Sequence, residues 1–518
     1  SMFQAAEVGH TLSKKKYEKL EPDLRTAMIV AQQRLKDVDF PVIVVIAGDD
    51  RPGCDDVINL LNSWFDPRFL ETNAFDVPSD EERERPRFWR YWRVLPRRGR
   101  IGLLSGGWST QIIREHLWSG TPEEAFRRLV GHARRFEEVL IDDGAVLVKF
   151  WLHLPKAALK ERLEAAENHP DKEWRVDSAD WAIFENYDNG LKTAEAFIRG
   201  TSDGTAPWTI VESSCERYRN VAIAQEILAA IDRGAAQAKA RRTLAKEEKE
   251  APKDNDAPDA PAAVVKKIRD GDPHTVLDTI DLSLSLEKDE YETQLAEWQS
   301  RLRRAAHDMH ARGQSAVAVF EGWDAGGKGG AIRRRAAAMN AHMYRIVPVA
   351  APTEEELAHH YLWRFWRELP RAGRVLVFDR SWYGRVLVER VEGFASENAW
   401  RRAYAEINDF EAQLVEHGML LAKFWLHISK DEQAERFKER NATPYKRFKI
   451  TDDDYRNRER WNEYEQAASD MISQTSTAAA PWHLVAGNDK RWARIEVLRT
   501  VCETMEQAAA ADDSATAS

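Results

Sequence analysis

One register shift constrains this chain more than any other feature. "KFWLH" stands at 149–153 and again at 423–427, and "APW" at 206–208 and again at 480–482, each pair 274 residues apart. The same shift lays "FWRYWRVLPRRGR" (88–100) over "LWRFWRELPRAGR" (362–374) and Gly48 over Gly322. An offset held constant across separate motifs marks a tandem duplication, so whatever fold one half adopts the other adopts too. A chain of 518 residues has room for two domains. Between the copies, "AKEEKEAPKDNDAPDAPAA" is rich in Ala, Pro, Asp and Lys and too poor in large apolar residues to fold alone. The expected layout is one domain over 1–235, a solvated linker over 236–275 and a second domain over 276–518.

Each copy alternates short apolar runs with longer amphipathic stretches. In the second copy the runs are "AVAVFEG", "IVPVA", "VLVFDR", "LLAKFWLHIS" and "PWHLVAG". They lack strict polar–apolar alternation, so the strands are expected to be buried on both faces. That means a parallel sheet with helices on either side, an α/β fold.

The chemistry concentrates in "FEGWDAGGKGG" (320–330). Gly322, Gly327 and Lys328 have the spacing of a phosphate-cradling P-loop, although Gly329 stands where the general signature places a magnesium-binding hydroxyl. At a strand-to-helix turn, Gly322, Gly327, Lys328 and Gly329 are expected to present amides and a positive charge to phosphate. A second apolar run, "VLVFDRSWYGRV" (375–386), delivers Asp379 and Arg380 to a strand's C-terminal end, where open α/β sheets bind ligands. With no hydroxyl at 329, Asp324 and Asp379 together can hold a magnesium ion. Asp324 could also orient or deprotonate the acceptor, and Arg380 is expected to clamp phosphate oxygens.

Further cations suit a long anion: Arg333 and Arg334 after the loop, Arg436, Lys438 and Arg440 in "KDEQAERFKER", and Lys490, Arg491 and Arg494 in "NDKRWAR". "ATPYKRFKITDDDY" (442–455) has the composition of a mobile lid, with Pro444 interrupting helix and Lys446, Arg447 and Lys449 as weaker candidates.

The first copy keeps Gly48, Asp50 and Gly53 at the positions of Gly322, Asp324 and Gly327 but loses other members of the set. Its loop, "IAGDDRPGCDD" (46–56), has Cys54 at the position of Lys328 and Pro52 at that of Gly326. In "LLSGGWS" (103–109), Ser105 and Gly106 replace Asp379 and Arg380. Cation, metal ligand and clamp are lost together, so the first domain is expected to be inactive and the second active. "KFWLH" and "APW", present in both, are read as packing.

Composition narrows the class. A net charge of −10 argues against a general nucleic-acid binder. No apolar run has the length of a membrane span, no signal-like segment opens the chain, and three scattered cysteines suit a reducing compartment. A cytoplasmic protein without membrane or nucleic-acid partners is expected.

Together "FEGWDAGGKGG", "FDRSWYGRVLVERV", "KFWLHISKDEQAERF", "YKRFKIT" and "APWHLVAGNDKRWAR" resemble the polyphosphate kinase 2 family over roughly 10–235 and 280–508. The resemblance implies two tandem thymidylate-kinase-like P-loop domains with helical lids. It also implies inorganic polyphosphate as phosphoryl donor and Mg2+, or Mn2+, as cofactor. A fused layout with a degenerate first lobe is similar to the class II members, which reversibly convert AMP to ADP. On this resemblance Asp324 and Asp379 are the metal and catalytic carboxylates, and Lys328, Arg380, Arg436 and Arg440 contact phosphate. Gly329 is the family's expected residue, whereas Gly384 stands where the family commonly has Asn. Two alternatives stay open: ADP or GDP as acceptor, and a non-catalytic polyphosphate- or nucleotide-binding protein. Assembly as a homo-oligomer is compatible with the sequence.

Overall fold

The apolar run Val42–Gly48 forms strand β1, in which six of seven residues are buried, as β-branched side chains are when both sheet faces are covered. In the computed structural model, which describes residues 2–250, 275–444 and 450–516, β1 is the centre of a five-stranded sheet. The others are β2 (Leu70–Ala74), β3 (Ile101–Ser105), β4 (Val146–His153) and β5 (Trp208–Glu212), in the order β2-β3-β1-β4-β5. Every pairing is parallel.

The second repeat builds its own sheet from β6 (Ala316–Gly322), β7 (Tyr344–Pro348), β8 (Val375–Asp379), β9 (Leu420–His427) and β10 (Trp482–Ala486). Its order, β7-β8-β6-β9-β10, repeats the first, again with parallel pairing throughout. The described chain divides into two compact units, one around each sheet. Residues 80–89 count with the second unit and 353–360 with the first. The helix Glu216–Glu250 runs into the expected linker, of which 251–274 lie outside the described residues, as do Lys446, Arg447 and Lys449 of the lid segment.

The order matters for function. The connection after β1 runs to one side, towards β2, and that after its neighbour β4 to the other, towards β5, as do those after β6 and β9, so a crevice opens at the C-terminal ends of each pair. Gly322 ends β6 there because a Cβ would lie 2.4 Å from the Leu426 carbonyl oxygen of β9, at a φ of 139°.

The "KFW" lysine proves to be scaffold in both units. Lys423 is fully buried and pairs with Glu411 at 2.7 Å, donating also to the Thr475 carbonyl at 2.7 Å. The indole of Trp382 holds the same carboxylate at 3.0 Å. Lys149, Glu137, Thr201 and Trp108 repeat this arrangement, with a 2.6 Å ion pair. A buried pair of this kind is worth keeping whole, since removing one partner costs about 3–5 kcal/mol. In each unit the indole of the "APW" tryptophan donates to the threonine hydroxyl beside the pair.

Candidate active site

Between β6 and the helix Lys328–Ala336, the residues Trp323–Gly327 form a loop whose carbonyls are all engaged from 322 to 325. Lys328 Nζ donates to the Gly322 and Trp323 oxygens at 2.8 and 3.0 Å. Gln433 donates to the Asp324 oxygen at 3.0 Å, and Arg436 to that of Ala325 at 2.9 Å. The amides of Gly327, Lys328 and Gly329, by contrast, make no hydrogen bond to protein among the described residues. Gly327 takes the left-handed conformation, φ 100°, that turns these amides together at the helix N-terminus. Outward-facing, satisfied carbonyls and convergent free amides make an anion cradle.

The loop is braced from two sides. Trp323 stacks on Trp461 with ring centres 3.6 Å apart, and its indole donates to His427 Nδ1 at 3.0 Å. Arg436, buried, donates to Ala325, Gly487, Asn488 and Glu432. Most of its donors are thus spent on protein, which makes it a support of the loop more than a free phosphate contact.

At the end of β8, Arg380 sits at φ 64°, a conformation costly for a side chain of this size and found where function holds it. Its guanidinium meets Asp324 Oδ1 at 2.7 Å, and Asn457 donates to Asp324 Oδ2 at 3.0 Å. Burial opposes the Arg380 charge, but Asp324, Glu321 and Asp379 outweigh it and raise its pKa. Asp379 lies beside this pair, and none of the described residues donates a hydrogen bond to its carboxylate. Glu321, buried, accepts from the Ser381 hydroxyl at 2.8 Å, and burial pushes its pKa up. Lys328 is nearly buried. Burial and then the Arg380 charge lower its pKa, against the pull of Asp324, Asp379 and Glu321.

Two clefts flank the loop. One, of about 200 Å³, is lined by Ala325, Gly326, Gly327 and Gly330 and by the cations Arg333, Arg436, Arg440, Lys490 and Arg494. Arg333 and Arg494 make no hydrogen bond or ion pair to the described residues. The other, of about 70 Å³, is bounded by Glu321, Trp323, Asp324, Arg380, Gly384, Leu387, Trp425, Gln433, Asn457 and Tyr464. The structure therefore brings Gly322, Asp324, Gly327, Lys328, Gly329, Asp379 and Arg380 together at one loop, with Arg333, Arg440 and Lys490 in the adjoining cationic cleft. Arg334 and Arg491 do not line that cleft, although Arg334 donates at 3.2 Å to the carbonyl of Gly330, which does. Arg334 bonds Tyr291 at 3.2 Å and Arg491 the Leu286 carbonyl at 3.3 Å, and Lys438 pairs with Glu435 at 2.7 Å.

Glu321, Gln433, Asn457 and Tyr464 were not singled out from the sequence. The repeat carries their signal, because the first copy has Ala47, Leu159, Ile183 and Gly190 at these positions.

In the first unit the equivalent loop is closed. The helix Arg51–Trp64 begins three residues earlier in the repeat than its counterpart, absorbing Pro52 into its first turn, where a missing N–H is harmless. Asp50, wholly buried, caps this helix through the Gly53 amide at 3.1 Å, and its other oxygen is held by Arg162 and Ser213. A carboxylate of the protein lies where an anion would sit.

The comparisons with known proteins agree with this geometry. The description "Polyphosphate kinase 2 (PPK2)" matches residues 11–239 and 285–513, once in each repeat. A polyphosphate:AMP phosphotransferase of Pseudomonas aeruginosa is 47% identical over 508 residues, covering 98% of this chain and 99% of the relative. One from Acinetobacter johnsonii is 36% identical, covering 90% and 91%. A crystal structure from Pseudomonas aeruginosa, assigned to polyphosphate kinase 2, superposes with a TM-score of 0.84 at 46% identity, over 98% of this chain and 99% of that one. With both repeats matched and full-length relatives at this identity, the chain belongs to the polyphosphate kinase 2 family.

Proposed function

We propose that this chain transfers the terminal phosphoryl group of inorganic polyphosphate to AMP, giving ADP, and that the second repeat alone does so. The observation that carries this reading is the pair of clefts on either side of one anion cradle. The cationic cleft suits a donor of repeating negative charge. The smaller cleft, with Trp323, Trp425, Leu387 and Tyr464 beside Arg380, suits a nucleoside and its phosphate. The full-length relatives named above, polyphosphate:AMP phosphotransferases, support the same choice of donor and acceptor.

The step forms a bond between an AMP phosphate oxygen and the terminal phosphorus and breaks that phosphorus's anhydride bond, leaving polyphosphate one unit shorter. A phosphate monoester with a second pKa of about 6 is already largely deprotonated at neutral pH. Asp324 therefore has no proton to remove, and its part is to position Arg380 and charge. Lys328 exchanges its two carbonyl contacts for phosphate oxygens, and the free amides of 327–329 stabilise the transferring group. Arg333, Arg440, Lys490 and Arg494 balance the charge left on the donor. The donor set fits a divalent cation. Asp379 has an uncommitted carboxylate and Asp324 lies beside it, and among the described residues no cluster of three ligating side chains forms a protein-only cage. Such a site suits Mg2+ completed by phosphate oxygens, and the ion would neutralise phosphate charge. Free cysteines at 54, 215 and 502 support a reducing, cytoplasmic setting.

The test is direct: purified full-length protein with polyphosphate, Mg2+ and AMP should form ADP. Absence of ADP across metals and chain lengths would refute the reading, and faster phosphorylation of ADP than of AMP would shift the acceptor.

A further inference from the structure

The first unit closed its phosphate cradle, yet the neighbouring cleft stayed open. A cavity of about 170 Å³ lies at the C-terminal ends of β1 and β3, against about 70 Å³ in the second unit. Ten of the twelve positions lining the second unit's smaller cleft also line this one at the 274-residue shift. The two exceptions are Asp50, turned into the cradle, and Leu159. Replacement of Arg380 by Gly106 and of Tyr464 by Gly190 enlarges the space, which stays the larger of the two although Phe75 and Trp118 stand where the second repeat has Val349 and Glu392.

Its apolar walls are Phe75, Ile113, Leu117, Trp151 and Ile183. The carboxylates Asp49, paired with His153, Asp55, near Arg51 and Arg175, and Asp76 also line it, and beside them the repeat has introduced a cation: Arg114 replaces Val388. The other cation on the wall, Arg51, is spent on Asp180 at 2.6 Å and on Asp177 at 3.2 Å. Arg114 makes no hydrogen bond or ion pair to the described residues, and burial lowers its pKa, so an anionic partner there would be favoured. Polyphosphate does not fit this description, because the donor-cleft cations Arg333, Arg440, Lys490 and Arg494 have become Asn59, Ala166, Glu216 and Asn220. What remains is room for a flat, largely apolar ring with one anionic group.

We propose that this cleft of the first repeat is a second nucleotide site, which binds a nucleoside monophosphate without transferring phosphate to it. The assignment rests on reading the matching cleft of the second repeat as the AMP site. Equilibrium dialysis of the full chain against labelled AMP, without polyphosphate, tests it. Two equivalents are expected to bind per chain. Arg114→Glu, which reverses the charge, and Thr110→Trp, which fills the cavity, should each remove one equivalent and leave ADP formation at saturating AMP within about twofold. Added polyphosphate should not displace the equivalent that depends on Arg114. A single equivalent unaffected by either variant, or two that survive both, would overturn the proposal. A single equivalent lost in both variants, in a chain that forms no ADP, would sustain this site and refute the function proposed for the other.

Discussion

Asp50 and Asp324 hold the same position in the two repeats and point their carboxylates at opposite tasks. Asp50 turns inward onto its own helix, taking the Gly53 amide at 3.1 Å together with Arg162 and Ser213. Asp324 turns outward to Arg380 at 2.7 Å and Asn457 at 3.0 Å, leaving the cradle free. One residue type thus serves in the first copy as a built-in anion and in the second as an anchor for the arginine proposed to act on phosphate.

If Asp50 is the plug, the first unit depends on it. Asp50→Ala leaves Arg162 and the buried Arg219 without their carboxylate and uncaps the helix, costing about 3–5 kcal/mol. Asp50→Asn keeps an oxygen for the Gly53 amide and should cost less. Urea unfolding followed by tryptophan fluorescence checks this. A transition for Asp50→Ala that superimposes on the parent's would remove the plug from the account.

Lys328→Ala should lower kcat by about 10²-fold or more, the scale of losing one preorganised charge at a transferring group. Cys54→Ala should leave it within about twofold. Cys54→Lys in the Lys328→Ala background should restore nothing, because Arg51, Pro52 and Gly53 are helical and Asp50 holds the anion position. Recovery of ADP formation in that double variant would show that lysine alone separates the two loops.

The duplication, the strand positions and the loop were legible because they depend on local pattern: buried β-branched runs, glycine spacing and a constant shift. Residues whose roles are set by distant partners were not. Nothing near "DD" at 49–50 tells that Arg162 and Ser213 will fold Asp50 inward. Arg436 reads as one cation among several, and only the tertiary fold shows it spent on the Ala325 and Gly487 carbonyls. Arg491 lies in the same short motif as Lys490, but rotation along the helix carries it to Leu286. Asn457 and Tyr464 lie far along the chain from the loop, and a position-by-position comparison of the repeats is what marks them, against Ile183 and Gly190.

Arg380 exposes a trade between stability and activity. Its left-handed backbone costs about 1–3 kcal/mol, whereas Gly106 occupies the same place in the first repeat at φ 83° without strain. Arg380→Gly relieves the strain but loses a partly exposed ion pair worth about 0–1 kcal/mol and adds about 0.5–1 kcal/mol of chain entropy. Stability should therefore be unchanged or slightly higher, while ADP formation falls about 10²-fold or more. Urea midpoints and steady-state rates measured on the same preparation decide this, and a loss of more than about 1 kcal/mol would mean that Arg380 is held for structure.

The "KFWLH" histidines should titrate in opposite directions. His427 Nδ1 accepts from the indoles of Trp323 at 3.0 Å and Trp425 at 3.3 Å, and burial brings its pKa down to about 4. His153 lies in an equally buried place, which opposes its charge, but Asp49 at 2.8 Å and Glu7 at 2.9 Å outweigh burial and raise its pKa. The first cause is a replacement, Asp49 standing where the second repeat has Trp323, and Glu7 from the N-terminal segment adds to it. Below about pH 6.5 the unfolded second unit takes up a proton at His427 that the folded one refuses, so its stability is full above pH 6.5 and falls towards pH 4, by about 3 kcal/mol in total. The His153 contribution runs the other way: it is present below its unfolded pKa and lost as pH rises through the raised folded value. Histidine ring-proton shifts followed by NMR from pH 4 to 9, with urea unfolding at each end, separate the two. A His427 that titrates near 6.5 would show that the indole pair does not hold it neutral.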